Sequence, residues 1–202
     1  MESVMVDSSA ESHEPPETPV ASQRLPVVMH AAPHPATLSP DKLLDSCGLR
    51  TQRRSGPGGQ HRNKTSSGAF LHYPPTDTTA EATERRSQAD NRNIALERLR
   101  FRLAVEVRSP SPRDGYQVPA EETALRTQYK NHPLKISDRN SDKPAVLALL
   151  LNDLHVAGGQ PSVVSREWGT STSAIVRLVK SHPVAFAFLN QIRQHHGRRP
   201  LR

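Results

Sequence analysis

The chain has 202 residues, of which 34% are hydrophobic, 4% aromatic and 23% charged, with 18 prolines and a formal charge of +7. That length allows one ordinary domain or two small joined ones, and so many prolines with so few aromatics exclude one large apolar core, because much of the chain cannot offset its own ordering entropy. A single cysteine, Cys47, excludes an intrachain disulfide and a cysteine-rich metal site, and no stretch approaches the roughly 20 apolar residues that span a bilayer.

The charge is unevenly spread. Residues 1–35 hold five acidic side chains against Arg24 alone, which leaves +11 on the rest. A surface of that sign attracts phosphate backbones, so nucleic acid is favoured as partner over membranes or acidic proteins. No basic segment followed by an apolar run marks the N-terminus, so a cytoplasmic monomer with no membrane contact is expected.

Residues 1–36 mix Ser, Pro, Glu and Thr without periodic hydrophobicity and read as a disordered extension. Ser39 and Pro40 then open a short helix as N-cap and first residue. A loop rich in Gly, Arg and Asn runs from Leu49 to Thr65, and Ser67 to Tyr73 forms a strand stopped by Pro74-Pro75. Ala80 to about Val107 lacks Pro and Gly and sets Arg92, Leu96, Leu99 and Leu103 on one face, predicting a single long helix. Arg113 to Asp142, broken by Pro119 and Pro133, reads mostly as linker.

A second helical unit follows. Pro144 to Ala157 is apolar enough for a core helix and is closed by Gly158-Gly159 as a left-handed cap. Pro161 to Trp168 forms another helix, Thr172 or Ser173 caps a third carrying Ile175, Leu178 and Val179, and a fourth after Pro183 holds Leu189 and Ile192. The middle pair has the spacing of a helix-turn-helix.

The chemistry concentrates in Arg53-Arg54-Ser55-Gly56-Pro57-Gly58-Gly59-Gln60-His61-Arg62-Asn63-Lys64-Thr65. Adjacent glycines reach positive φ and leave no Cβ between the main chain and a crowded target. Arg53, Arg54, Arg62 and Lys64 suit phosphate-rich surroundings, and Asn63 and Thr65 can tie the loop base together. No nucleophile–base pair is present. Gly158-Gly159-Gln160 repeats the triplet without those flanks, where a helix must end, and reads as a cap.

The string Arg53-x-Ser55-Gly56-x-Gly58-Gly59-Gln60-His61-x-Asn63-Lys64-Thr65, followed by His72, resembles the catalytic domain of class I peptide chain release factors and their short ribosome-rescue relatives. A second block, Arg86-Ser87-Gln88-x-x-Asn91-Arg92-x-x-Ala95-x-x-x-Leu99, is similar to the start of that family's long helix. Arg62, the strand start Gly68-Ala69-Phe70, and Arg85 depart from the family pattern.

The resemblance implies an α+β fold, a small release-factor domain with a short sheet and a long helix, and the helical spacing adds after it a small all-α unit like a helix-turn-helix. Taken with composition and periodicity, the resemblance divides the chain into a disordered extension (1–36), a peptidyl-tRNA hydrolase domain (37–108), a linker (109–142) and a helical domain with a short basic tail (143–202). It further implies hydrolysis of the peptidyl-tRNA ester at the peptidyl-transferase centre of the ribosome, with no cofactor and no metal. Gly58 and Gly59 would shape the loop, and Gln60 would stabilise the reaction centre through its backbone N–H and place water through its side chain. His61 and the residues of the second block, Arg86, Ser87, Gln88, Asn91 and Arg92, would support the loop or contact RNA. A linker and a helical unit in place of codon-reading domains lead to the expectation of codon-independent release, as in ribosome rescue. Two other readings stand beside it: an RNA-binding protein that hydrolyses nothing, and a helix-turn-helix DNA-binding regulator.

Overall fold

The computed structural model describes residues 18–52 and 67–202. It mixes helix and sheet, in keeping with an α+β class. The elements are β1 (Val28–Met29), α1 (Pro40–Asp45), β2 (Gly48–Gln52), β3 (Gly68–Tyr73), β4 (Thr78–Ala82), α2 (Gln88–Glu106), β5 (Val107–Arg108), α3 (Ala120–Tyr129), α4 (Lys143–Val156), α5 (Pro161–Glu167), α6 (Thr172–Lys180) and α7 (Pro183–His195). The antiparallel sheet runs β2-β3-β4, and β1 pairs with β5 in parallel.

Two buried clusters meet at α4. One gathers Leu71, Tyr73 and Ala82 of the sheet with Leu99 and Leu103 of α2, and reaches Ala148 on α4. The other surrounds Leu147, Leu150 and Leu154 with Trp168, Ile175, Leu178 and Leu189. All 14 residues of α4 are buried, which a helix apolar on every side requires.

Several predicted elements form as expected. Ser39 caps α1, its Oγ accepting from the Lys42 amide at 3.4 Å. Gly158 and Gly159 take φ of +59° and +71° after α4, and the Gly159 amide donates to the Leu154 carbonyl at 2.8 Å. A Cβ on Gly159 would lie 2.6 Å from Arg193 Cγ and 3.1 Å from the Arg193 nitrogen, so this Gly-Gly turn also lets α7 approach closely. Helix α6 is capped by Ser171, one residue before the expected caps.

Three expectations are corrected. The long helix begins at Gln88, not near Ala80, because Thr78–Ala82 pairs with β3 and buries Thr78, Ala80 and Ala82 on one face. This is the period-2 pattern of a half-covered strand overriding good helix formers. Residues 18–36, expected to be disordered, form β1 and two 3-10 turns and bury His34 and Ala36; residues 1–17 lie outside the described ones. The 109–142 stretch, expected to be mostly linker, holds α3, whose Glu122 and Tyr129 are buried.

Polar contacts invisible to hydrophobic periodicity hold both stretches. Glu122 accepts from the His34 amide at 2.6 Å. Arg126 forks onto Asp153 of α4 at 2.6 and 3.0 Å. Ser111 Oγ and Trp168 Nε1 each donate to the same carboxylate at 2.7 Å. The outer edge of β4 is also occupied: Arg98 and Arg102 of α2 donate to the carbonyls of Glu81 and Thr79.

Leu150 is fully buried at the centre of the helical cluster. Leu150→Ala is expected to lower unfolding free energy by about 2–5 kcal/mol through lost transfer energy and a residual cavity, read as a lower urea midpoint at unchanged slope.

His34 supplies a pH dependence. Its Nδ1 accepts from the Ala36 amide at 3.1 Å, so its Nε2–H is the group facing the Val107 carbonyl at 3.0 Å. Burial, then the neighbouring Arg108 charge, pushes its pKa down to about 3. A depressed histidine contributes stability that is complete above the unfolded value of about 6.5 and is lost as pH falls towards the folded value. Burial raises the Glu122 pKa, which acts in the opposite direction. In His34→Gln, the loss of urea midpoint between pH 7 and pH 4.5 is therefore expected to be smaller than in the native chain.

Candidate functional site

The base of the predicted loop can be built from its two stems. β2 and β3 pair antiparallel from Gly48↔His72 to Gln52↔Gly68, so the chain leaves and returns at one end of the hairpin. Arg53, Arg54, Ser55, Gly56, Gly58, Gly59, Gln60, His61, Asn63, Lys64 and Thr65 fall between these stems and lie outside the described residues. His72 sits at the opposite end of β3, roughly 13 Å from Gly68 at the usual rise per residue. It contacts Asp77 Oδ1 at 2.7 Å.

Asn91 links the second sequence block to this base. It is fully buried. Its Nδ2 donates to the Ser67 carbonyl at 2.6 Å and to the Arg85 carbonyl at 2.8 Å, while its Oδ1 accepts from the Arg85 amide at 2.8 Å. One amide side chain thus ties the returning stem to the segment that enters α2. Gly68 beside it is crowded: a Cβ there would lie 3.1 Å from both the Gln52 carbonyl and Thr83 Cγ2.

The rest of the block divides plainly. Ser87 is the N-cap of α2, accepting from the Asp90 amide at 3.2 Å. Arg86, Gln88 and Arg92 are exposed at the same end of the helix. Next to Arg85, Glu84 pairs with Arg98, and that hydrogen bond holds its carboxyl below the ordinary value. The sequence reading missed Ser67, Gly68 and Thr83 as parts of the base. The only signal was that Asn91 follows the Ser87 cap by one helical turn, which points its side chain back towards the helix entrance.

A groove of about 1390 Å³ lies farther along, between β2, α2 and the start of α7, lined by Leu49, Ile94, Phe101, Arg98, His182 and Val184. His182 stacks on Phe101 at 5.1 Å between ring centroids, and burial lowers its pKa. Burial pushes the Cys47 thiol up to about 11, so it is not a thiolate nucleophile near neutral pH. Among the described residues no three His, Cys, Asp or Glu side chains are grouped to hold a metal, and no helix is long and apolar enough to cross a membrane. On α6, Arg177 donates to the Pro133 carbonyl and Lys180 Nζ to the main-chain oxygen of Arg202, each at 3.0 Å, so both cations of that helix are engaged with their own chain.

Comparison with known proteins adds a likeness in sequence. Residues 44–140 match the model of the RF-1 domain, so that segment is similar to the release-factor family. Peptide chain release factor 2 of Acidovorax sp. (strain JS42) is 49% identical over 53 residues, covering 26% of this chain and 14% of the relative. Peptide chain release factor 1-like, mitochondrial, of Rattus norvegicus is 45% identical over 55 residues, covering 27% and 15%. Peptide chain release factor 1 of Delftia acidovorans is 40% identical over 90 residues, covering 45% and 22%. The chain therefore matches less than a quarter of each of these relatives' length. The family match includes α3 and ends before α4.

Asn91→Ala removes the partners of two carbonyls and one amide, at a cost of about 1–3 kcal/mol for buried groups left unpaired. The Arg85 amide is expected to exchange hydrogen faster in that variant, while amides in α4 and α6 keep native protection when measured well below the global unfolding limit.

Proposed function

We propose that this protein hydrolyses the ester of peptidyl-tRNA on the ribosome without reading a codon. Residues 37–108 would serve as the hydrolytic unit and residues 143–202 as a helical companion, in a monomer that needs no cofactor. The observation that carries this reading is the clasp of Asn91 on Ser67. It joins the second sequence block to the base of the hairpin whose stems flank Gly58-Gly59-Gln60 in sequence, within the segment that matches the RF-1 domain.

In this reading a water oxygen attacks the ester carbonyl carbon and the bond to the tRNA 3′-oxygen breaks. That oxygen takes one of the water's protons and the other passes to solvent, leaving a peptide carboxylate and a free 3′-hydroxyl. The backbone N–H of Gln60 donates to the charge developing at the reaction centre and on the leaving oxygen. A single preorganised donor of this kind contributes roughly 3 to 4 kcal/mol. The Gln60 side chain positions the water, which lowers the barrier further by removing orientational freedom. Gly58 and Gly59 allow the main chain to approach without side-chain bulk. Arg53, Arg54, Lys64, Arg86 and Arg92 face the surrounding RNA phosphates.

The test is release of labelled peptide from ribosomes that carry peptidyl-tRNA on a message truncated at the P site. Native protein is expected to release peptide, and Gly59→Ala and Gln60→Pro, which removes the N–H, to slow release about a hundredfold or more. Equal release by native and variant proteins would sink the loop assignment. Release confined to messages with a stop codon would overturn codon independence. Ribosome binding with no release would leave the non-catalytic RNA-binding reading.

A further inference from the structure

The last helices carry a charge imbalance that the hydrolytic loop does not use. From residue 157 to 202 the only acidic side chain is Glu167 among seven Lys and Arg, and Glu167 is paired with Arg113. Five of the cations, Lys180, Arg193, Arg198, Arg199 and Arg202, fall along one continuous strip.

Hydrogen bonds build that strip. After α7 the chain turns at Gly197, at φ +66°, and folds back on the helix. The Leu201 amide donates to Asn190 Oδ1 at 2.8 Å, Asn190 Nδ2 donates to the Leu201 carbonyl at 3.3 Å, and the Leu201 side chain packs against the helical core. Arg193 donates to the carbonyls of Arg199 at 2.9 Å and Gly159 at 2.7 Å. Arg198 donates to the Gly158 carbonyl at 3.0 Å, and Lys180 Nζ to the main-chain oxygen of Arg202 at 3.0 Å. The strip therefore runs from the Gly158-Gly159 turn, along α7, to the end of α6.

These bonds anchor Lys180, Arg193 and Arg198 on main-chain oxygens and hold the main chain at Arg199 and Arg202. Among the described residues none of the five forms a salt bridge with an Asp or Glu, all such pairs lying elsewhere. Arg199 and Arg202 are exposed, and their guanidinium groups make no hydrogen bond to a described residue. Partial burial, and then the nearby Arg198, lower the Arg193 pKa. A row of guanidinium and ammonium groups without an acidic side-chain partner, carried on a main chain held in place, matches the regular negative charge of a sugar–phosphate strand, whose condensed counterions are released on contact.

We propose that the folded-back C-terminal strip is a docking surface for the phosphate backbone of an RNA strand. It anchors the protein through the part of the chain that lies beyond the release-factor match. Recognition would be independent of base sequence, because the strip offers cations and main-chain groups rather than an exposed set of stacking aromatics.

The experiment is fluorescence anisotropy of the full chain with a labelled single-stranded RNA of mixed sequence, titrated at several salt concentrations. No ribosome or ester is present, so the outcome is independent of whether the loop hydrolyses anything. Relative to the native chain, Lys180→Gln/Arg199→Gln/Arg202→Gln is expected to weaken binding about tenfold or more. It should also flatten the slope of log K against log salt by about 2, from roughly 0.7 per lost phosphate contact. Arg199→Lys/Arg202→Lys keeps the charges and should bind nearly as the native chain does, which separates charge loss from misfolding. Native affinity and salt slope in the glutamine variant would overturn the proposal, as would equal loss in the lysine variant.

Discussion

The burial of α4 on every side is the constraint around which the molecule is arranged. A helix whose entire circumference is shielded cannot be satisfied by one sheet or one neighbouring helix. Ala148 faces the cluster shared with α2 and the sheet, while Leu147, Leu150 and Leu154 face the cluster built by α5, α6 and α7. The release-factor segment and the helical unit therefore meet on a common apolar axis, although the family match stops just before α4 begins.

Three polar residues on α4 determine what fills the remaining sides. Asn152 exchanges hydrogen bonds with Ser109, Asp153 collects Ser111, Arg126 and Trp168, and His155 contacts the Leu25 carbonyl at 2.8 Å. Each draws in a segment with no hydrophobic period of its own. A buried ion pair such as Arg126–Asp153 adds little stability relative to apolar packing, but leaving one partner unpaired is costly. Its effect is to define where α3 docks.

This explains what could be read in advance. Caps and apolar runs are local, so α1, the ends of α4 and the cap at Gly158-Gly159 were legible from a few adjacent residues. β4 was not, because Ala80, Glu81 and Ala82 favour helix locally and become a strand only through pairing with β3. α3 and residues 18–36 escaped for another reason: their positions depend on single polar contacts such as Glu122 with the His34 amide, 88 residues apart. In the candidate site, Gly58-Gly59-Gln60 stood out by its flanking residues, since the same triplet at Gly158-Gly159-Gln160 closes a helix. The role of Asn91 depended on Ser67, 24 residues away, and Gly68 showed its importance only once Gln52 and Thr83 were placed around it.

The arginines that span from α2 to β4 give the sheet two unlike borders. Along β4, Arg98 and Arg102 occupy outward carbonyls that another strand would need for its ladder. Along β2 every residue is exposed. Growth of the sheet by strand addition is thus directional: the border remote from β2 is blunted by guanidinium groups, and any added strand must lie alongside the stem that leads into Gly58-Gly59-Gln60.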